Sequence, residues 1–235
     1  MSTSSPLDNP IWHALHTEHG SLAVDAGLAR RYPSSIGPLS GMASVSPASL
    51  IALHNLASPG SRLVLFLEEP LALPAGPAAA GWVLDRADQM CQMVADGSPP
   101  APTPTESLVR RLAPADVPQM LELAQLTNPG PFRERTLELG AFFGIFDDGK
   151  LLAMAGQRLH LPRFVEVSGV CTHPQARGRG YARALISVVM REIRAREKAP
   201  ILHVLAANHE AIRIYRALGF AMRRTLHLSV LRNPL

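Results

Sequence analysis

The chain has 235 residues, 47% of them hydrophobic, which is enough to bury a sizeable core in one large or two small domains. No apolar run approaches the ~20 residues a membrane helix needs, and the start MSTSSPLDNP has neither a basic nor an apolar signal region. Two cysteines, Cys91 and Cys171, exclude a disulfide framework, so the expectation is a cytoplasmic chain with reduced thiols and no membrane partner. The net charge of +4 is unevenly spread: residues 1–105 hold four Lys/Arg against eight Asp/Glu, and residues 106–235 hold 19 against 11. The excess of arginines sits around residues 177–198, where no nucleic-acid reading module accompanies it. A phosphate-bearing ligand and a solvated helix face account for it better than nucleic acid.

In chain order, His13, His16 and His19 fall at i, i+3 and i+6, a spacing that can line one side of a helix. Trp12, Leu15 and Leu22 between them favour an ordinary amphipathic helix over a metal site. Residues 48–56 predict a helix, and 62–67 and 82–95 predict strands, with a Pro/Gly/Ala loop over 70–81. These elements predict an N-terminal α/β domain at 1–96. A Pro-rich linker over 97–105 and a second domain at 106–235 come next. There, 107–112 predicts a strand and 116–124 a helix. Residues 141–146 and 151–160 predict strands joined by Asp147-Asp148-Gly149-Lys150, a hairpin signal.

The run VEVSGVCTHPQARGRGYA (165–182) carries the strongest functional signal. An apolar strand to Thr172 leads through His173-Pro174 and a Gln-Ala-Arg-Gly-Arg-Gly loop into a helix with Ala182, Leu185, Ile186, Val189 and Ile193 at helical spacing. Free N–H groups and the positive helix end make such a place an anion site, and Gly178 and Gly180 let a diphosphate approach the main chain. The spacing is neither the nucleotide-triphosphate loop nor the dinucleotide fingerprint. Downstream, 201–206 predicts a strand, succeeded by Asn208-x-x-Ala211-x-x-x-Tyr215-x-x-x-Gly219-Phe220, its glycine at a helix end. Residues 225–231 predict a closing strand.

Gln175, Gly178 and Gly180 resemble the coenzyme A loop of the GNAT acetyltransferase superfamily, and the Asn208-to-Phe220 run resembles its second signature. The resemblance covers residues 105–235. It implies an α/β (α+β) fold with a mixed sheet in the order β-α-α-β-β-β-α-β-α-β, carrying an additional N-terminal α/β domain. That domain has no Gly-x-Gly loop, and a degenerate GNAT-like repeat or a family-specific lid or partner-binding domain would explain it equally.

The same resemblance implies that acetyl-CoA is the co-substrate, with no metal. Its diphosphate would lie on Gln175, Ala176, Arg177, Gly178, Arg179, Gly180, Tyr181 and Ala182. Its pantetheine arm would pair with the main chain of Val170, Cys171 and Thr172 where that strand splays from the strand at Ile201. Asn208 and Ala211 would complete the site. Tyr215 takes the position of the general acid that protonates the leaving thiolate, or else is a packed aromatic. Glu166 takes that of the base, or else is a strand glutamate paired with an arginine. As a base, it would have its pKa raised by burial. Strict alternation would put Glu166, Ser168, Val170 and Thr172 on one face and Val165, Val167, Gly169 and Cys171 on the other. The implied activity is transfer of acetyl to a primary amine by direct attack in a ternary complex. The alternative is an acyl-CoA sensor that regulates a partner through its N-terminal half. Loops 127–135 and 161–164 would shape the acceptor site. Small amines, amino acids, peptides and protein N-termini, and a homodimer, all remain open.

Overall fold

The computed structural model describes residues 5–97 and 100–234; Ser98 and Pro99 of the proline-rich segment lie outside it. The first half contains α1 (Pro10–His16), three short strands β1 (Val24–Asp25), β2 (Ala29–Arg31) and β3 (Ser40–Met42), then α2 (Pro47–Asn55). Two longer strands come next, β4 (Arg62–Leu67) and β5 (Val83–Val94). Ser46 opens α2 by accepting a hydrogen bond from the Ser49 N–H, and a proline stands at its first turn, the usual chemistry of a helix start. His13 and His16 lie on α1, but the helix ends before His19.

After the proline-rich segment come β6 (Val109–Arg111), α3 (Val117–Thr127), β7 (Phe142–Asp147), β8 (Lys150–His160) and β9 (Phe164–Thr172). The chain closes with α4 (Tyr181–Arg194), β10 (Ala199–Leu205), α5 (His209–Ala217) and β11 (Ala221–Arg232). The turn between β7 and β8 places Asp148 and Gly149 at φ of 46° and 75°, the left-handed pair that a tight hairpin requires. Of the two helices expected between the first two strands of this half, only α3 forms. Asn128, Pro129, Gly130 and Pro131 break the helix, and a single 3-10 turn at Thr136–Leu139 stands in place of the second.

One eight-stranded mixed sheet runs through the molecule in the order β4-β11-β5-β10-β9-β8-β7-β6. β5 inserts between β11 and β10, antiparallel to both, so Cys91 pairs with Thr225 on one side and Val204 on the other. The proline-rich segment therefore does not separate two sheets: β4 and β5 precede it, yet they belong to the same sheet as β6 to β11. The N-terminal half is α/β as expected, but it is not a self-contained layer.

Each face of the sheet is covered. On one side α4 buries Leu185, Ile186, Val189, Met190 and Ile193 against Val165, Val167, Ala153 and Leu202. At about 1.5–3 kcal/mol for each fully buried aliphatic side chain, this is the largest single contribution of any helix here. On the other side Leu7, Ile11, Leu15 and Tyr32 of the N-terminal half pack against Phe66, Met90, Leu159 and Ile201. Further along that side α3 packs Met120 and Leu123 on Phe142, Met154 and Cys171. Among the described residues no helix is long and apolar enough to cross a membrane.

Where α1 meets β8, His19 Nδ1 and the Tyr32 hydroxyl share a hydrogen bond of 2.7 Å, and the His19 and His160 rings lie 5.0 Å apart. Burial first, and then the neighbouring positive charges, lower both imidazoles from their ordinary value to about 4. A histidine with a lowered folded pKa takes up its proton more readily in the unfolded chain. Stability is therefore full above pH ~6.5 and falls as the pH drops toward 4. Melting temperatures measured across that window should fall steadily for the native chain. The His19→Gln/His160→Gln variant should show a visibly flatter slope.

Candidate active site

The loop after β9 is built from short-range constraints. His173 Nδ1 accepts the N–H of Gln175 at 3.3 Å, closing a 3-10 turn over Pro174–Ala176, and Ala176 is buried beneath it. Gly178 and Gly180 adopt φ of 78° and 77°, a region other residues enter only with strain. Gly180 is the N-cap of α4 and offers no side-chain oxygen, so the first-turn N–H groups are left for a ligand. Arg177 and Arg183 line the opening beside them. Two of the residues expected here fall outside it. Gln175 turns to the exterior, and the exposed Arg179 side chain lies 3.9 Å from Asp147.

From this loop a cavity of about 850 Å³ runs through the sheet. Its existence stems from strand geometry. β9 and β10 pair in parallel only from Phe164–Glu166 against Ala199–Ile201, after which β10 stays bonded to β5 and departs from β9. The gap is lined by Val170, Cys171 and Thr172 on one edge and Val204 and Leu205 on the other. Thr172 Oγ1 is buried there without a partner among the described residues. Ala176, Gly178, Gly180, Tyr181, Ala182, Asn208, Ala211 and Tyr215 line the α4–α5 side. Asn208 also caps α5, accepting the Ala211 N–H at 3.2 Å. On the opposite side the cavity reaches Thr127–Pro131, as the loop 127–135 promised. Residues 161–164 do not reach it.

β9 does not alternate regularly. Its pairing with β8 jumps from Gly156↔Ser168 to Met154↔Cys171, three steps against two, so β9 carries a bulge at Gly169, whose φ is 62°. A Cβ at Gly169 would come within 2.9 Å of the Phe142 ring. The bulge resets the phase: Val170 packs with Val165 and Val167 on the α4 side, and Cys171 packs on the α3 side. The expected grouping of Val170 with Glu166, and of Cys171 with Val165, is thus corrected. Burial raises the Cys171 thiol to about 11, out of reach of nucleophilic use.

Glu166 is fully buried at the point where β9 and β10 part. Arg158 of β8 binds both its oxygens, Nε to Oε2 at 2.8 Å and Nη2 to Oε1 at 2.6 Å. His203 of β10 adds a contact from Nδ1 to Oε1 at 2.7 Å. Gln92 of β5 completes the chain. Its amide N–H groups donate to the Leu7 carbonyl at 2.7 Å and to His203 Nε2 at 3.0 Å, while its Oε1 accepts from Arg223 at 2.7 Å. Because His203 Nε2 accepts, Nδ1 bears the proton given to Glu166. Burial alone would raise the Glu166 carboxyl, but the Arg158 guanidinium and His203 outweigh it and hold the pKa down, at about 2. The expected upward shift is reversed. The pairing with an arginine was one of the two readings of Glu166; that the arginine is Arg158, and this function of His203, were not anticipated.

Tyr215 extends from α5 into the same cavity, and its ring meets Phe220 edge-on at 6.1 Å. Burial, reinforced by the negative charge of Glu166, raises its phenol to about 12, so it stays protonated at neutral pH.

A mixed sheet opened by a diverging parallel pair, with a glycine loop and helix N-terminus at its mouth, defines the architecture. The family model for FR47-like protein matches residues 142–228. A GNAT-family protein from Novosphingobium aromaticivorans is 37% identical, with 99% of this chain and 100% of that one covered and a TM-score of 0.90. A GCN5-related N-acetyltransferase from Kribbella flavida is similar in fold alone, at 16% identity, 96% of each chain and a TM-score of 0.59. A GCN5-related N-acetyltransferase-like protein from Streptococcus suis is likewise similar in fold, at 15% identity, 94% and 92% coverage and 0.55. No curated protein matches. The chain belongs to the GNAT family.

Two substitutions test the site's construction. Gly169→Ala should cost about 1–3 kcal/mol in urea denaturation, because it adds both left-handed strain and a clash with Phe142. Arg158→Met should cost about 3–5 kcal/mol by stranding a buried carboxylate, and adding Glu166→Gln should recover a large part of that loss.

Proposed function

We propose that this chain is an acetyl-CoA-dependent N-acetyltransferase that passes the acetyl group directly to a primary amine in a ternary complex. The observation that carries this reading is the continuous cavity: it begins at the Gly178–Gly180 loop, tracks the split between β9 and β10, and ends beside Tyr215 with room beyond for an acceptor. Bound there, acetyl-CoA supplies an activated acetyl thioester. The first turn of α4, with Arg177 and Arg183, holds its phosphates. The main chain of Val170 to Thr172 pairs with the pantetheine amides as an added strand would, and an N–H near Val170 faces the thioester oxygen.

The amine enters as its free base, attacks the carbonyl carbon and releases its extra proton to water. The carbon–sulfur bond then breaks. An ordinary thiol titrates near ~8.5, well below the Tyr215 phenol, so a free thiolate would not take the phenolic proton for good. Tyr215 instead donates a hydrogen bond to the charge growing on sulfur and relays a proton from water. Glu166 is assigned a positioning role. Both its oxygens are engaged and its proton affinity is depressed, which suits a fixed counter-ion to Arg158 better than a base.

Titration calorimetry with acetyl-CoA should show saturable binding to the native chain and none to Gly178→Glu, which puts bulk and negative charge at the phosphate cradle. Tyr215→Phe should keep that binding and lose about 100-fold in kcat, within the range for a positioned proton donor. Absence of acetyl-CoA binding in the native chain would sink the proposal.

A further inference from the structure

If the chain is the acetyltransferase proposed above, on which reading the acceptor class rests, the acceptor half of the cavity narrows the kind of amine it takes. Beyond the strand split, the wall is apolar, formed by Val64 and Phe66 of β4, Met90 of β5, and Leu228 and Val230 of β11. These residues share one side because β4 and β11 pair Val64↔Val230 and Phe66↔Leu228. Set into this wall are two guanidinium groups, Arg158 and Arg86. Glu210, at the start of α5 on the cofactor side, is the only acidic residue lining the cavity among the described residues. Glu166 is fully buried behind Arg158 and offers the cavity nothing.

Arg158 is held unusually well for a binding group. Its Nε and Nη2 are spent on Glu166, its guanidinium carbon lies 5.6 Å from the Phe66 ring centre, and its side chain is only 12% exposed. Nη1 has no hydrogen-bond partner among the described residues, which leaves two charged N–H donors on a rigid, nearly buried fork. Such a group asks for an oxygen acceptor, best an anionic one. At this wall a polycationic amine would instead meet guanidinium groups, the cavity's one carboxylate among the described residues being Glu210 on the cofactor side.

We propose that the acceptor is an apolar amino acid, an amine and a carboxylate carried on one small hydrophobic molecule. Its carboxylate is held by Arg158, and its apolar body lies on Phe66, Met90 and Leu228. Arg86, exposed at the rim and paired with Asp88, adds attraction on entry. Arg158 is then a specificity-determining residue, fixed by Glu166, and the chain yields an N-acetylated, more acidic product.

The test measures acetyl transfer from acetyl-CoA to leucine, phenylalanine and 6-aminohexanoate. It compares them with their decarboxylated counterparts isoamylamine, phenethylamine and pentylamine, and with spermidine. Each amino acid that is turned over should show a KM about 10- to 100-fold below that of its decarboxylated counterpart, with a smaller change in kcat. Arg158→Lys should shrink that preference, and its melting temperature reports whether it folds. Arg86→Gln, at an exposed position, should raise the KM for amino acids a few-fold without raising that for phenethylamine. Equal or better turnover of phenethylamine or spermidine would overturn the acceptor class and leave the acetyltransferase reading standing. Acetyl-CoA binding with no turnover of any amino acid would do the same. Failure of the native chain to bind acetyl-CoA would overturn both.

Discussion

A carboxylate buried at the parting of two strands imposes more on this molecule than any other single group. Glu166 cannot shed its charge cheaply in the sheet interior, and its burial is tolerable only with partners of excellent geometry. Those partners come from three other strands. Arg158 reaches it from β8, His203 from β10, and Gln92 of β5 fixes the ring of His203 while holding the Leu7 carbonyl. Arg223, just inside β11, binds Gln92 and Asp8 together. One charge therefore specifies the relative placement of β5, β8, β9, β10, β11 and the segment leading into α1. Replacing the whole set by aliphatic residues would remove the hydrogen bonds that tie these strands together where β9 and β10 separate.

The cavity is the other side of the same constraint. β10 has two neighbours but turns fully toward only one, since its bonds to β5 continue to Leu205 while those to β9 stop at Ile201. The unpaired edges of β9 and β10 would be a liability in a closed sheet. Here they are the surface that an extended amide chain can complete. The bulge at Gly169 adds to this by re-aiming the main chain of β9 alongside the gap. The N-terminal half takes part directly: β5 holds β10 away from β9, and β4 with β11 supplies the apolar wall of the far side.

Local pattern made most of the elements legible. The predicted strand at 62–67 matches β4, and the two glycines before α4 announced their own backbone angles. Non-local pairing was not legible. Nothing in the alternation of residues 82–95 says that this strand will sit between two others more than a hundred residues away, and a domain boundary drawn at the prolines assumed that it would not. The second helix expected after α3 was contradicted by Pro129, Gly130 and Pro131, whose local chemistry outweighs a borrowed element order. Gly169 was also readable. A lone glycine inside an apolar strand often marks a bulge, and strict alternation was carried across it without that allowance.

The Arg158–Glu166 pair was legible only in part: a glutamate paired with an arginine was one of the two readings of Glu166, but which arginine was not. β8 and β9 form a hairpin closed by Leu161 and Phe164, with His160 opposite Val165, and the register shifts before Gln157↔Val167. Counted from the turn, residue 159 and not 158 would face 166, so it is the irregularity in the ladder that brings the Arg158 fork onto Glu166. That pairing inverts the expected pKa of Glu166. Burial of a carboxylate raises its proton affinity only where no cation shares the burial, and here Arg158 does. The same step moves the glutamate from the list of proton acceptors to the framework. It leaves the free end of Arg158 beside the cavity as the group whose chemistry has to be explained.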